Sequence, residues 1–245
     1  MTARSPNTFV VGAGPVATAI AGSLRISGMP VLGLWARKAP AARAAAAASG
    51  VAAFSSAPPD ILLESDAIVL AVRDDAVPSV AAMLIGTGMI NQRHVLLHCS
   101  GAMPASVALA PAHGVAGGVG TMHPLRAIAD AKDVIRTMAG TSFGIEGDER
   151  GLGMARRLVA AIGGRPLAVE GADMARYHAA AVMASNYAVA LLDAASQMFA
   201  ELGLGRDAAV AALAPLMEGA VANVLAIDDP DATARLLDMF LRGLA

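Results

Sequence analysis

Cysteine is nearly missing: Cys99 is the one thiol in 245 residues. That excludes an internal disulfide and a cysteine-based zinc cluster. Aromatic residues make up 3% of the chain, which leaves few stacking platforms or large anchors. Neither sign of charge is in excess. The 18 Lys and Arg against 20 Asp and Glu give a net charge of −2, which argues against nucleic acid as a bulk electrostatic partner. Long hydrophobic runs are also missing, although 56% of residues are apolar, many of them alanine. The longest run, 179–192, is interrupted by Ser185 and Asn186 and closed by Asp193. It falls short of the roughly 20 uninterrupted apolar residues of a membrane span. The first strand pattern begins within a few residues of Met1, leaving no room for a signal peptide. These absences predict a cytoplasmic globular protein with no membrane and no nucleic-acid partner. The length suits two modest domains or one large one.

What is present centres on residues 8–28, TFVVGAGPVATAIAGSLRISG. Thr8 to Val11 reads as a short buried strand, followed by a turn with Gly12, Gly14 and Ala17 in the pattern G-x-G-x-x-A and then a helix. Gly12 permits the tight turn, Gly14 lets a pyrophosphate approach the backbone, and Ala17 lets the helix pack closely on the strand. The helix start offers free N–H groups and the positive end of its dipole. Gly12, Ala13, Gly14, Pro15 and Val16 are the expected dinucleotide-binding turn. An ordinary βα turn would need the same glycines, but the strand before and the helix after are the context that dinucleotide binding requires.

A second strand, 30–35, ends in Ala36, Arg37 and Lys38. An acid at this point would hold the ribose 2′-OH of NAD. There is none, and an arginine can hold the 2′-phosphate of NADP in a bidentate pair. NADP(H) is therefore the expected cofactor, with Arg37 and Lys38 as contacts rather than solvated residues at a helix start. Further strands are expected at 51–54, 67–72, 94–98, 115–122, 141–146 and 165–170, with helices between them. This alternation implies a doubly wound α/β fold with a mostly parallel sheet and helices on both faces. Val72 and Arg73 follow the fourth strand, where ligands of open α/β sheets bind. Arg73 reads equally as a cofactor contact or a surface charge, and Asp74 or Asp75 as a cap for the next helix. From residue 172 strand signals stop. One long helix is expected over 172–202, then helices at 207–217, 218–226 and 231–241. The boundary falls near Gly171, giving a dinucleotide-binding domain at 1–170 and a helical domain at 171–245.

Gly12-x-Gly14, Ala71-Val72-Arg73-Asp74-Asp75, His98-Cys99-Ser100-Gly101, His123-Pro124-Leu125 and the stretch from Tyr177-His178 through Ser185-Asn186-Tyr187 occur in this order. In that combination the chain resembles the Rossmann-like proteins with a C-terminal domain of unknown function numbered 2520. That group is related to the 6-phosphogluconate dehydrogenase, β-hydroxyacid dehydrogenase, ketopantoate reductase and pyrroline-5-carboxylate reductase superfamily. The resemblance covers roughly residues 8–225. It implies an NADP-binding N-terminal domain and an all-helical C-terminal domain that often dimerises. Some members look like alternative ketopantoate reductases. The chain departs from the family pattern at Arg73, where a proline is usual. It departs again at Ile227–Thr233, where the family continues into a segment like ALTGPxxRGD.

Hydride transfer needs placement of the nicotinamide and a proton source. His178 and Asn186 are eight residues apart on the long helix, about 80° around it at about 100° per residue. They are expected to line the cleft between the domains together with Tyr177 and Ser185. Related dehydrogenases use a lysine and an asparagine on the equivalent helix. No lysine is found here, which leaves His178 as the acid, or as a hydrogen-bonding contact without proton transfer. His123 resembles the histidine of the HP motif in prephenate-type dehydrogenases and reads as either a catalytic or a loop-fixing group. Ser100, with the Gly101 amide, is a candidate for a substrate carboxylate, and Arg126 a weaker one. Cys99 reads as a small packed residue, His98 as buried and satisfied, and His94 and His113 as surface residues. Hydride chemistry does not need a three-histidine metal site from His98, His123 and His178, so no metal is expected. The expected activity is NADPH-dependent reduction of a small carboxylate-bearing 2-oxo acid, ketopantoate-like, or of an imine, by a homodimer joined through the helical domain. A non-catalytic NADP(H) sensor or scaffold and a prephenate-like dehydrogenase are the alternatives.

Overall fold

The computed structural model describes residues 4–226 and, beyond them, 231, 232, 234, 235 and 238. Most of the segment 227–233 and of the helix expected at 231–241 lies outside the described residues. Contacts divide the chain into two units, 1–181 and 182–245.

The first unit alternates strand and helix. β1 (Thr8–Val11) leads through the glycine turn to α1 (Pro15–Ile26), β2 (Val31–Ala36), α2 (Ala39–Ser49) and β3 (Ala53–Ser55). Then come β4 (Ala67–Leu70), α3 (Val77–Gly86), β5 (Val95–His98), α4 (Ala105–Ala108) and β6 (Gly118–Pro124). α5 (Ala131–Ile135), β7 (Ser142–Gly147), α6 (Glu149–Ala161), β8 (Arg165–Ala168) and α7 (Met174–Val182) follow. Among the described residues the strands form one sheet in the order β3-β2-β1-β4-β5-β6-β7-β8. Every neighbouring pair is parallel except β6 and β7. The expected mostly parallel, doubly wound architecture is the one observed.

The core follows from the period of two along each strand. Val10, Val69 and Leu97 pack into one apolar layer with Ile20, Leu24 and Leu158 of α1 and α6. Their neighbours Phe9, Val11, Ile68, Leu70 and Leu96 pack into the other, with Val77, Ala81 and Leu84 of α3. Both faces of the central strands are buried, which is why their sequences are apolar throughout rather than alternating with polar residues. Each large side chain removed from water this way stabilises the fold by about 1.5–3 kcal/mol.

Three expectations are corrected in this unit. β6 runs on through His123 and Pro124 because the antiparallel partner β7 pairs His123 with Gly144 and Pro124 with Phe143. His123 therefore lies within a strand rather than just beyond one. His94 is fully buried, not at the surface: Asn91 N–H donates to its Nδ1 (3.0 Å) and its Nε2–H donates to the Leu63 carbonyl (3.2 Å). Neither Asp74 nor Asp75 caps α3 with its side chain. Asp75 instead holds Arg73 at 2.5 and 3.1 Å.

The second unit contains α8 (Ala188–Glu201) and α9 (Arg206–Leu225), packed on each other. The stretch expected as one regular helix carries a π turn at Met183–Tyr187, between α7 and α8. The two helices expected on either side of residue 217 are one, with Pro215 inside it. Because helix continues through Ser185, Asn186, Asp193 and Glu218, the stretches Gly171–Glu201 and Arg206–Leu225 are long and apolar enough to cross a membrane by length and composition. The expectation of no span-like stretch, which counted only uninterrupted apolar residues, is corrected to that extent.

Candidate active site at the carboxyl edge of the sheet

β1 stands between β2 and β4, so the loops leaving these three strands open on one edge. Gly12 has φ +133°, and a Cβ there would lie 2.2 Å from the Ala71 carbonyl oxygen and 3.2 Å from the Ala17 Cβ. Only glycine lets β1 turn this close to the end of β4. Gly14 differs: no described atom lies within 4 Å of where its Cβ would be. Pro15 opens α1, no side chain caps it, and its first turn has no acid. The amides of Val16 and Ala17 are thus left to a ligand, at the positive end of the helix dipole. A cradle closed behind by Gly12 and open in front at Gly14 fits a pyrophosphate. Arg37 and Lys38 follow β2, whose Trp35 carbonyl accepts from Gly12 N–H (2.8 Å), and both are exposed. Val72 is half-buried just beyond β4, and Arg73 is tied to Asp75.

Further along the same edge, the chain after β5 meets the end of β6 and α7. Tyr177 OH lies 2.8 Å from His123 Nδ1, and the two rings meet edge to face. The phenol reaches this point because position 144 is glycine: a Cβ there would be 2.2 Å from the hydroxyl. Burial pushes the Tyr177 hydroxyl up to about 12, against a backbone hydrogen bond from Gly144 that favours the phenolate. A neutral imidazole can either accept the phenolic proton at Nδ1 or donate its own there, and with Nδ1 accepting, its proton lies on Nε2. Burial, with His178 adding to it and Asp74 opposing, brings His123 down to about 4. The His178 ring centroid is 6.1 Å from that of His123. Its Nδ1 is buried without a hydrogen-bond partner among the described residues. Gly101 floors this pair, since a Cβ there would lie 2.7 Å from His123 Cε1 and 2.9 Å from His178 Nδ1.

Behind them is a buried chain of hydrogen bonds. Ser100 N–H donates to His98 Nδ1 (3.2 Å), and His98 Nε2 bonds Thr121 Oγ1 (2.9 Å). The Thr121 hydroxyl donates to Glu146 Oε2 (3.3 Å), which also accepts from Ala105 N–H (2.7 Å). Burial lowers His98 to about 4, so it is neutral at pH 7. Both of its nitrogens are spent on the chain. Ser100 is buried, and its Oγ accepts from Ala102 N–H (3.2 Å), which shapes the loop. Burial raises the Cys99 thiol to about 12, which keeps it protonated. Arg126 is committed to Thr137 and Thr141. Asn186 belongs to the second unit, is exposed, and accepts from Ser185 Oγ (2.8 Å). It lies in the π turn, so the 100° arithmetic that grouped it with His178 does not apply across residues 183–187.

Two family descriptions match separate segments of the chain. Residues 8–100 match the NADP oxidoreductase coenzyme F420-dependent family, and residues 141–234 match the domain of unknown function (DUF2520). The chain thus carries, in order, a segment of the NADP oxidoreductase coenzyme F420-dependent family and a DUF2520 segment. No curated protein matches it. Solved structures share the fold. One is a Bacteroides fragilis protein described as an NADP oxidoreductase, at TM-score 0.70 and 18% identity over 98% of this chain and 92% of that one. A Thermotoga maritima protein, TM1727, aligns at 0.68 and 23% over 90% and 79%. A Plasmodium falciparum pyrroline carboxylate reductase with NADP bound aligns at 0.63 and 16% over 95% and 83%.

In this DUF2520-containing chain, sequence reasoning placed Tyr177 beside the cleft without a role and passed over Gly144, Thr121 and Glu146. One signal for Gly144 was present: a glycine in the middle of a strand marks a close approach by another group. Nothing in the order of residues pairs position 123 with 177.

Proposed function

We propose that the chain is an NADPH-dependent reductase of a small carboxylate-bearing 2-oxo acid or imine. The observation that carries this reading is the Tyr177–His123–His178 cluster, on the same sheet edge as an uncapped glycine turn. Gly12 to Val16 hold the pyrophosphate, Arg37 and Lys38 the 2′-phosphate, and Val72 and Arg73 flank the dinucleotide. Bound NADPH supplies the hydride. His123 Nε2–H faces the oxygen or nitrogen that becomes basic as the substrate is reduced. That atom takes the Nε2 proton while Tyr177 passes its own to Nδ1, and the phenolate left behind is reprotonated from water. A Tyr177 hydroxyl near 12 is acidic enough to protonate an alkoxide, so the imidazole need never be cationic. His178 Nδ1 is a second polar group for the substrate, and Ser100 shapes the loop that presents the Gly101 amide. We place the protein in the cytoplasm as a homodimer, with the apolar faces of α8 and α9 covering each other across the pair rather than meeting lipid.

Turnover is tested by following NADPH oxidation with a pool of 2-oxo acids and cyclic imines. Tyr177→Phe is expected to lower kcat about 100-fold with cofactor affinity unchanged. Full activity in both Tyr177→Phe and His123→Asn would remove the relay. Tight NADPH binding with no oxidation by any substrate in the pool would favour a non-catalytic cofactor-binding protein.

A further inference from the structure

At the other edge of the sheet, where the parallel strands begin, Arg4, Arg93, Arg150 and Arg157 line one hollow of about 440 Å³ together with Asp66. Arg4 precedes β1, Asp66 precedes β4, Arg93 precedes β5, and Arg150 and Arg157 project from α6. Four positive groups and one carboxylate leave a formal surplus of three positive charges, on a chain whose net charge is −2. The carboxylate is already engaged: Asp66 Oδ2 accepts from Arg4 (2.9 Å) and from Asn7 N–H (2.8 Å). Among the described residues no carboxylate pairs with the other three guanidiniums. Arg150 donates to the Gln92 carbonyl (3.3 Å) and Arg157 to the Arg4 carbonyl (2.7 Å). Carbonyl bonds orient a guanidinium and leave its charge intact. Arg93 makes no side-chain hydrogen bond among the described residues.

Arg150 is also built in. A Cβ on Gly117 would lie 2.3 Å from Arg150 Nη1, and one on Gly118 would lie 2.7 Å from Arg150 Cβ. Two successive glycines thus form the bed on which this side chain lies. His94, behind Arg93, is held neutral by burial and adds no charge.

We propose that this hollow binds a compact anion carrying two or three phosphate groups. Guanidinium forks match phosphate oxygens in bidentate pairs, and several separately anchored forks around one cavity favour a ligand with several phosphates over a single ion. The site is separate from the dinucleotide turn, which lies at the opposite ends of the same strands.

The test is calorimetric titration of the full chain with inorganic tripolyphosphate at low salt. One saturable site per chain is expected, weakening as salt is added. Arg93→Ala and Arg157→Ala are each expected to weaken binding about tenfold, and Arg37→Ala, at the opposite edge, to leave it unchanged. Because the Arg93 side chain makes no hydrogen bond among the described residues, and its backbone bond to Asn91 (3.1 Å) survives substitution, its alanine variant is expected to melt like the parent by circular dichroism, so a loss of binding reads the site rather than the fold. ATP carries the same phosphates on a nucleoside: comparable affinity assigns a nucleotide as the source and weaker affinity the inorganic ion, and either supports the site. The proposal is overturned by no binding to the parent chain, by unchanged affinity in both arginine variants, by loss confined to Arg37→Ala, or by equal affinity for citrate.

Discussion

Arg37 is the residue on which the preference for NADPH over NADH turns in our reading. It stands exposed two positions past Trp35, which bonds the glycine turn. Arg73, which follows β4 on the same edge, is tied to Asp75. A bidentate guanidinium–phosphate pair contributes about 1.5–3 kcal/mol, so Arg37→Ala is expected to weaken NADPH at least about tenfold and leave NADH unchanged. Fluorescence titration with each cofactor measures this, and an equal loss for both would show that Arg37 does not read the 2′-phosphate. Arg37 was legible in the sequence because its position follows from counting along one strand. Tyr177 was not, because its partner His123 lies 54 residues away and only the order of strands brings them to one place.

The helices of the second unit make a different kind of prediction. α8 exposes Val189, Leu191 and Met198 at 67–68%, and α9 exposes Leu216 at 71% and Leu225 at 77%. Burying such side chains between two copies would contribute roughly 25 cal/mol per Å² before the costs of association. Light scattering is expected to give a mass near twice that of the chain, and Leu191→Glu with Met198→Glu to give a monomer of normal helix content. A monomeric parent would refute the pairing. Helix in this region was legible from the alanine-rich pattern. The π turn was not, since the residues of 183–187 carry no local signal that distinguishes it from a regular turn.

Across the whole molecule, histidine burial couples stability to pH. His98 and His123 sit near 4 when folded, and His94 is lowered as well. Unfolded, a histidine titrates at about 6.5. Between these values the unfolded chain binds more protons, so stability is fully present above pH 6.5 and is lost as pH falls toward 4. For His98, which is fully buried, the loss at pH 4.5 is on the order of 2–3 kcal/mol. Urea unfolding at pH 7.5 and 4.5 is expected to show it, with a smaller difference in His98→Gln. An identical midpoint at both values would mean that His98 is not held neutral.

What the residues determined by themselves is what neighbours in the chain record. The β1–turn–α1 unit, the apolar strands of a sheet buried on both faces, the absence of an acid after β2 and the change to helix after residue 172 are all local patterns. The strand ends show the limit of such patterns: the apolar run 67–72 outlasts β4, which stops at Leu70, and β6 outlasts its own apolar run because β7 pairs antiparallel to it. The tertiary structure alone decided which loops share an edge, that His94 is buried against Leu63, that Gly144 makes room for Tyr177, and that four arginines from three parts of the chain surround one hollow. These depend on strand order and register, which arise from side chains meeting across the sheet and not from any stretch of consecutive residues.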